Sequence, residues 1–220
     1  MKERAFSLWG MQNTFTIMRR YDILLCRTQM RCARVMAEKS QIEGNAMYIE
    51  TERLILRNAL PTDTESYHTL WNTPSVLKFN VMNPPDLQQA AAAVDADAQS
   101  DKVLYIAQKE NGQMIGQIFL EPDSLRYGVK SFIVSYSLME EYGRKGYMTE
   151  ALTAAIEYAF HAFQLDMVVS RVFADNIPSQ RLLEKLGFTK EGTLRYAVQG
   201  YDGIVHDDML FSLLREEFLS

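Results

Sequence analysis

The chain has 220 residues, of which 47% are hydrophobic and 23% charged, a composition typical of a globular protein long enough to bury a core. No run of about 18 apolar residues occurs, which argues against a transmembrane helix and a membrane partner. The net charge of −5 argues against a general nucleic-acid-binding protein.

The N-terminal segment, residues 1–46, differs from the rest of the chain. It carries eight Lys and Arg against four Asp and Glu, whereas residues 47–220 carry fifteen against twenty-four. It also holds both cysteines, Cys26 and Cys32, whose spacing fits no zinc pattern. We therefore expect no metal site, no disulfide and a reducing, cytoplasmic compartment.

Three interpretations of this segment stay open. It could be an Arg-rich targeting segment, or a helix that packs on the domain or on a second subunit. Alternatively, translation begins at Met47, which we favour because the domain-like patterns start directly after it. We expect one domain over residues 47–220, in a monomer or a homodimer.

The first half of this domain predicts a strand, two helices and a hairpin. Residues 48–57 alternate apolar and charged side chains, as a strand does. Thr62 or Asp63 can cap a helix that residues 72–74 end, and Asn83-Pro84-Pro85-Asp86 opens an Ala-rich helix to about residue 99. Strand-like runs at 103–107 and 114–120 flank Asn111-Gly112, a strong hairpin signal.

The second half predicts a strand–helix–strand crossover. A strand at 131–138 precedes a helix at 149–163, and a strand at 167–173 precedes a short helix at 177–186 that Gly187 ends. A last strand is expected at 209–214. The predicted order is therefore β, α, α, β, β, β, α, β, α, β.

A basic turn with two glycines joins the strand at 131–138 to the following helix. Gly143 and Gly146 allow a ligand to approach the backbone, and Arg144 and Lys145 carry charge suited to phosphate. The free N–H groups of a helix start also favour an anion. The turn indicates a phosphate or pyrophosphate site, although an ordinary loop with two surface cations is about as consistent with this stretch alone.

A second motif follows the strand at 167–173. Residues 174–188 read as a capped helix, with Asp175 or Asn176 as N-cap, Pro178 early and Gly187 at the end. Together, the two motifs resemble the GNAT superfamily of acetyl-CoA-dependent N-acetyltransferases, and more closely its RimJ/RimL-like branch. The resemblance extends over nearly all of 47–220 and includes residues 51–57, 143–151, 176–179, 186–188, 191–195 and 206–217.

The resemblance implies an α/β (α+β) fold with a mixed, mostly antiparallel central sheet, flanked by helices and splayed at its two central strands. It also implies acetyl-CoA as cosubstrate. The pyrophosphate would be held by the turn and the helix start, that is, by Gly143, Arg144, Lys145, Gly146, Tyr147, Met148 and Thr149. The backbone at Tyr136-Ser137-Leu138 would align the pantetheine arm, Asn176 would contact that arm and Ser179 would lie near the sulfur.

The sequence departs from the family pattern at four positions. Gly143 and Met148 replace the usual first and last residues of the turn, and Met148 is bulky enough to crowd the phosphates. Ile133 stands where many relatives carry Glu, and Phe211 where many carry Tyr.

Acetyl transfer to an amine sets the remaining requirements. A lysine-type ammonium, with a pKa near 10.4, must lose a proton before it attacks a thioester. We rank Asp207 or Asp208 first as the base, then Glu140 or Glu141, with His206 as another candidate. Ser179 is the candidate donor to the sulfur, and the Leu138 or Met139 N–H the candidate oxyanion donor.

Two functions from different classes follow. We expect an N-acetyltransferase that moves acetyl from acetyl-CoA to a primary amine of a protein N-terminus or a small molecule. The alternative is a non-catalytic acyl-CoA-binding regulatory module. The acidic balance of residues 47–220 favours a cationic acceptor.

Overall fold

A computed structural model describes residues 47–219, which contain one eight-stranded sheet in the order β1-β2-β3-β4-β5-β6-β8-β7. The strands are β1 Tyr48–Glu50, β2 Leu54–Arg57, β3 Val103–Gln108, β4 Met114–Pro122, β5 Ser131–Leu138, β6 Met167–Phe173, β7 Thr189–Gln199 and β8 Val205–Leu214. The helices are α1 Thr64–Trp71, α2 Pro74–Leu77, α3 Leu87–Asp97, α4 Tyr147–Ala162, α5 Ile177–Lys185 and α6 Arg215–Leu219.

The sheet is antiparallel except at its centre, where β5 and β6 run parallel. This is the pair that α4 connects, because parallel strands need a crossover rather than a hairpin. The mixed, mostly antiparallel sheet flanked by helices confirms the predicted fold class.

Helices cover both faces of the sheet. On one face, α4 and α5 pack on alternate residues of the central strands, with Ile156, Phe160 and Leu183 fully buried. On the other face, α1 and α3 form a smaller core with Tyr67, Trp71 and Tyr105. The two faces are called here the α4/α5 face and the α1/α3 face.

Local signals explain several elements. The Asn111-Gly112 hairpin is confirmed: Gly112 takes a φ of 72°, which glycine adopts without strain, between antiparallel β3 and β4. Asp86 begins α3 with a reciprocal cap, in which its carboxylate accepts from the Gln89 N–H at 2.8 Å and the Gln89 side chain accepts from the Asp86 N–H.

Other elements differ from the prediction. The strand expected at 48–57 is two strands, since Thr51 turns the chain and accepts a hydrogen bond from the Leu54 N–H. Strand β7 was not predicted, because it is an edge strand whose mostly exposed residues lack an apolar alternation. The short helices α2 and α6 were also missed, and β8 starts four residues before its predicted start.

Within residues 47–219, no helix combines the length and apolarity needed to cross a membrane. The expectations for residues 1–46 lie outside the described residues.

Candidate active site

The two central strands separate after three paired positions. Pairing between β5 and β6 covers Ser131 to Ile133 and ends at Ile133 opposite Val169. At the point of separation, the Ser170 hydroxyl donates to the Val134 carbonyl at 3.0 Å. Beyond it a gap opens between the strands, as the prediction of a splayed sheet requires.

Backbone polar groups of β5 point into this gap. The Met139 N–H donates to the Ile115 carbonyl at 2.9 Å. Leu138 and Gly116 are therefore a non-hydrogen-bonded pair, whose own N–H and C=O groups point away from each other. By the same alternation, the backbone groups of Tyr136 also face the gap. The Leu138 N–H therefore points into the gap, whereas the Met139 N–H is used in the sheet.

A cavity of about 510 Å³ lies at the gap and takes its walls from both faces of the sheet. Ser135, Ser137, Arg171 and Phe173 belong to the α1/α3 face, whereas Tyr136, Ser170, Val172, Asn176 and Ser179 belong to the α4/α5 face. The remaining lining residues are Tyr67, Trp71, Val76, Phe79, Asn80, Val81, Met82, Asp97, Phe119 and Glu121. Two reactants that enter from opposite faces can therefore meet where the strands part.

A polar network lies in the α1/α3 wall of the cavity. The Asp97 carboxylate accepts hydrogen bonds from the Gln117 amide at 2.7 Å and the Tyr105 hydroxyl at 3.0 Å, and Gln117 accepts from the Trp71 indole N–H at 3.1 Å. Burial raises the pKa of Asp97, although these two hydrogen bonds act in the opposite direction. Burial and the Asp97 charge raise the pKa of Tyr105, so its phenol stays protonated and donates.

Charge in the cavity is predominantly negative. Besides Asp97, the exposed carboxylate of Glu121 lines it. The Arg171 guanidinium also lines it, but donates to Asp208 at 2.7 and 3.0 Å. Because Asp208 is 3% exposed and neutralises Arg171, the cavity suits a cation better than an anion.

The glycine turn has the backbone shape of an anion-binding loop. Gly146 is the N-cap of α4 with a φ of 80°, and Arg144 also has a positive φ of 59°. The side chains of Arg144 and Lys145 are exposed next to the first-turn N–H groups of α4. This arrangement suits a phosphate or pyrophosphate group.

A clamp fixes this turn to the first hairpin of the sheet. Glu150, in the first turn of α4, accepts from the Thr51 hydroxyl at 2.6 Å and from the Arg53 N–H and guanidinium at 2.7 Å each. Arg53 also donates to the Lys145 carbonyl at 3.0 Å and stacks over the Tyr147 ring at 4.4 Å. Burial opposes ionisation of Glu150, but these hydrogen bonds and the Arg53 charge hold its pKa below the ordinary value.

The start of α5 reaches the same cavity from the α4/α5 face. The Asn176 side chain accepts from the Ser179 N–H at 3.3 Å, which confirms Asn176 as the N-cap. The Tyr136 hydroxyl lies 3.5 Å from the Ser179 carbonyl, and burial raises the pKa of Tyr136 to about 12. Tyr136 therefore keeps its hydroxyl proton, and both Tyr136 and Ser179 lie beside the gap.

The predicted bases lie elsewhere. Glu140 is exposed in a 3-10 turn, and exposed Asp207 accepts from the Tyr196 N–H at 2.7 Å; neither lines the cavity. His206 stacks on Phe173 at 4.7 Å and lies 3.6 Å from Asp175. The assignment of Asp207 or Glu140 as base stays a prediction.

The structure shows where three of the four departures from the family pattern lie. Met148 is 7% exposed and packs in the core under α4, so its bulk points away from the phosphate side of the turn. Phe211 is fully buried in the same core. Ile133 is the last residue of β5 that pairs with β6, and its partner in β4 is Glu121. A carboxylate is thus present one strand away from Ile133.

The residues of the α1/α3 wall of the cavity were not predicted as site residues. Asp97 ends an Ala-rich helix and reads as a solvated charge, and Trp71 reads as a core residue. Gln117 gave the one usable signal, because a polar residue inside the apolar run 114–120 needs a partner when buried.

The chain belongs to the GNAT acetyltransferase family, since the model for the Acetyltransferase (GNAT) domain matches residues 53–189. It is 28% identical over 178 residues to the uncharacterized N-acetyltransferase YoaA of Bacillus subtilis, which covers 76% of this chain and 96% of YoaA. It is 30% identical over 175 residues to the uncharacterized N-acetyltransferase p20 of Bacillus licheniformis, an alignment that covers 76% of this chain and 96% of p20.

Solved structures share the fold. A GNAT-family acetyltransferase from Bacillus anthracis superposes with a TM-score of 0.70 and 23% identity, covering 78% of this chain and 100% of the other. The ribosomal-protein-S5-alanine acetyltransferase from Vibrio fischeri superposes with a TM-score of 0.67 and 20% identity, covering 78% of this chain and 98% of the other. The microcin C7 self-immunity acetyltransferase MccE, in complex with acetyl-CoA and AMP, superposes with a TM-score of 0.63 and 19% identity, covering 74% of this chain and 93% of the other.

Family membership makes this chain an acetyl-CoA-dependent acyltransferase. It favours the enzyme over the non-catalytic acyl-CoA-binding module.

Proposed function

We propose that the protein is an N-acetyltransferase of the RimJ/RimL-like type, which transfers acetyl from acetyl-CoA to a primary amine by direct attack on the thioester. The observation that carries the proposal is the cavity that passes through the sheet between β5 and β6. The glycine turn lies at the C-terminal end of β5, so a cosubstrate anchored there can extend along the strand into the gap.

The proposed cosubstrate contacts come from three parts of the chain. Residues 143–149, with Arg144 and Lys145, hold the pyrophosphate. Tyr136 and Leu138 offer main-chain N–H and C=O groups to the pantetheine arm, and Asn176 contacts that arm at the start of α5. The clamp of Thr51, Arg53 and Glu150 supports these contacts, because it holds the turn against the first hairpin.

The proposed reaction forms the amide bond between the amine nitrogen and the acetyl carbon and breaks the C–S bond. One amine proton passes to a base or to water, and the leaving thiolate takes a proton. Ser179 is the proposed donor to the sulfur, with Tyr136 beside it, and the Leu138 N–H is the proposed oxyanion donor.

The test measures acetyl-CoA binding to the full chain by calorimetry, with an Arg144→Ala/Lys145→Ala variant and Lys190→Ala as a control at an exposed cation of β7. We expect micromolar binding that the double change weakens and the control does not. Thiol release with a panel of primary amines then tests transfer. Absence of acetyl-CoA binding, or of thiol release with every amine, would contradict the proposal.

A further inference from the structure

Asp97 is a half-buried carboxylate with no cationic partner among residues 47–219. One of its oxygens accepts both hydrogen bonds, from Gln117 and Tyr105, which leaves acceptor capacity on the other oxygen. A carboxylate in an apolar wall without a counter-charge is energetically costly. Such a group is therefore a candidate for binding a positively charged ligand.

Aromatic side chains surround the cavity wall next to Asp97. Tyr67, Trp71 and Phe119 line it, with Trp71 at 6.0 Å from each of the other two rings. Aromatic faces attract ammonium groups through cation–π interactions, and the attraction grows when water is excluded. An aromatic wall that carries the Asp97 carboxylate thus suits an ammonium group better than an anion or a neutral sugar.

The position of Asp97 separates this ammonium from the amine that reacts. Asp97 is held by Gln117 on β4, whereas the gap lies on the far side of β5. Neighbouring strands are about 4.8 Å apart, so the carboxylate stands roughly 7–10 Å from the gap. One ammonium group cannot occupy both places.

We propose that Asp97 binds a second cationic group of the acceptor, so that the preferred substrates carry two positive charges roughly 7–10 Å apart. This inference rests on the proposed function and specifies its substrate class. Two sources share the chemistry: a free aliphatic diamine, or a peptide whose lysine lies near its N-terminal amine.

The experiment compares 1,5-diaminopentane with 1-aminopentane as acceptors for the full chain, by thiol release at saturating acetyl-CoA. A parallel arm compares two peptides that differ only by Lys or norleucine at the second position. We expect kcat/KM to be about tenfold or more higher for the dication of at least one pair, the usual scale for a hydrogen bond to a charged group. The pair that shows the preference identifies the source.

Asp97→Asn should remove this preference by raising KM for the dication about tenfold while kcat and acetyl-CoA binding are retained. Asp95→Asn, which removes a carboxylate from an exposed position of the same helix, is the control and should change neither this preference nor KM.

Equal kcat/KM within both pairs for the wild-type chain would overturn the inference and leave the proposed function intact. A fall in kcat at unchanged KM in Asp97→Asn would also overturn it, since that result indicates a base. No acetylation of any amine would overturn the proposed function itself.

Discussion

Gly116 and Ser137 lie so close across the β4–β5 pair that a Cβ atom on Gly116 would stand 2.6 Å from the Ser137 carbonyl oxygen. The same atom would stand 3.0 Å from the Leu138 side chain. Since Ser137 lines the cavity and Leu138 follows it, the missing side chain of Gly116 fixes where the end of β5 lies.

Gly116→Ala should therefore displace β5 at the gap. We expect kcat/KM for acetyl transfer to fall at least about tenfold and the free energy of unfolding to fall by about 1–3 kcal/mol, the usual range for overpacking. The control is Gly192→Ala in β7, where an added Cβ meets nothing within 4 Å. Steady-state kinetics and thermal unfolding check both variants. Equal behaviour of the two would show that the contact does not position the site.

The clamp at the glycine turn predicts a pH-dependent contribution to stability. The pKa of Glu150 is lower in the folded chain than its ordinary value of 4.5. Its stabilisation is therefore fully present above about pH 4.5 and is lost as the pH falls through the lower folded pKa. Glu150→Gln should lower the free energy of unfolding by about 1 kcal/mol at pH 7. The value is modest because the Arg53 side chain is 41% exposed and solvent screens the pair.

Unfolding of the two proteins from pH 7 to pH 3 tests this prediction. The difference in free energy of unfolding between wild type and Glu150→Gln should be constant above about pH 4.5 and shrink below it. Glu184→Gln, at an exposed position of α5, serves as control and should show no such convergence. A difference that persists unchanged to pH 3 would mean that the charge of Glu150 contributes nothing.

How much of this site the sequence predicts depends on how local each part is. The glycine turn and the α5 cap are contiguous motifs, and the structure places Gly146 and Asn176 as N-caps. The hairpin at Gly112 is equally local. Periodicity and turn chemistry suffice for such features, because all the interacting residues lie within a few positions of one another.

The α1/α3 wall of the cavity could not be predicted in the same way. Asp97 and Trp71 meet through Gln117, and these residues come from α3, α1 and β4, separated by 20 to 46 positions. Their contact depends on strand register and helix packing, which no local pattern records. Likewise, the outward direction of the Leu138 N–H follows only from its pairing with Gly116.

Asp208 neutralises the Arg171 guanidinium in the cavity wall, so this ion pair should preserve the negative charge of the cavity. Asp208→Asn leaves the Arg171 guanidinium without its counter-charge in the wall. We expect KM for cationic acceptors to rise several-fold and acetyl-CoA binding to be kept. The control is Asp123→Asn, which removes one of the two carboxylate partners of Arg126, at 2.9 Å, and does not line the cavity. If both variants change KM equally, general destabilisation rather than cavity charge is responsible.

Asn176 should have two separable roles, as the cap of α5 and as a contact to the cosubstrate. Asn176→Ala removes the acceptor for the Ser179 N–H and should cost about 1 kcal/mol of stability, as loss of an N-cap does. Asn176→Asp keeps an equally good cap, so stability should stay near that of the wild type. Its new charge faces the gap, however, and should weaken acetyl-CoA binding by calorimetry about tenfold, a loss of about 1.4 kcal/mol. Unaltered acetyl-CoA binding by a stable Asn176→Asp protein would restrict Asn176 to the structural role, because a carboxylate in contact with the cosubstrate should change its binding.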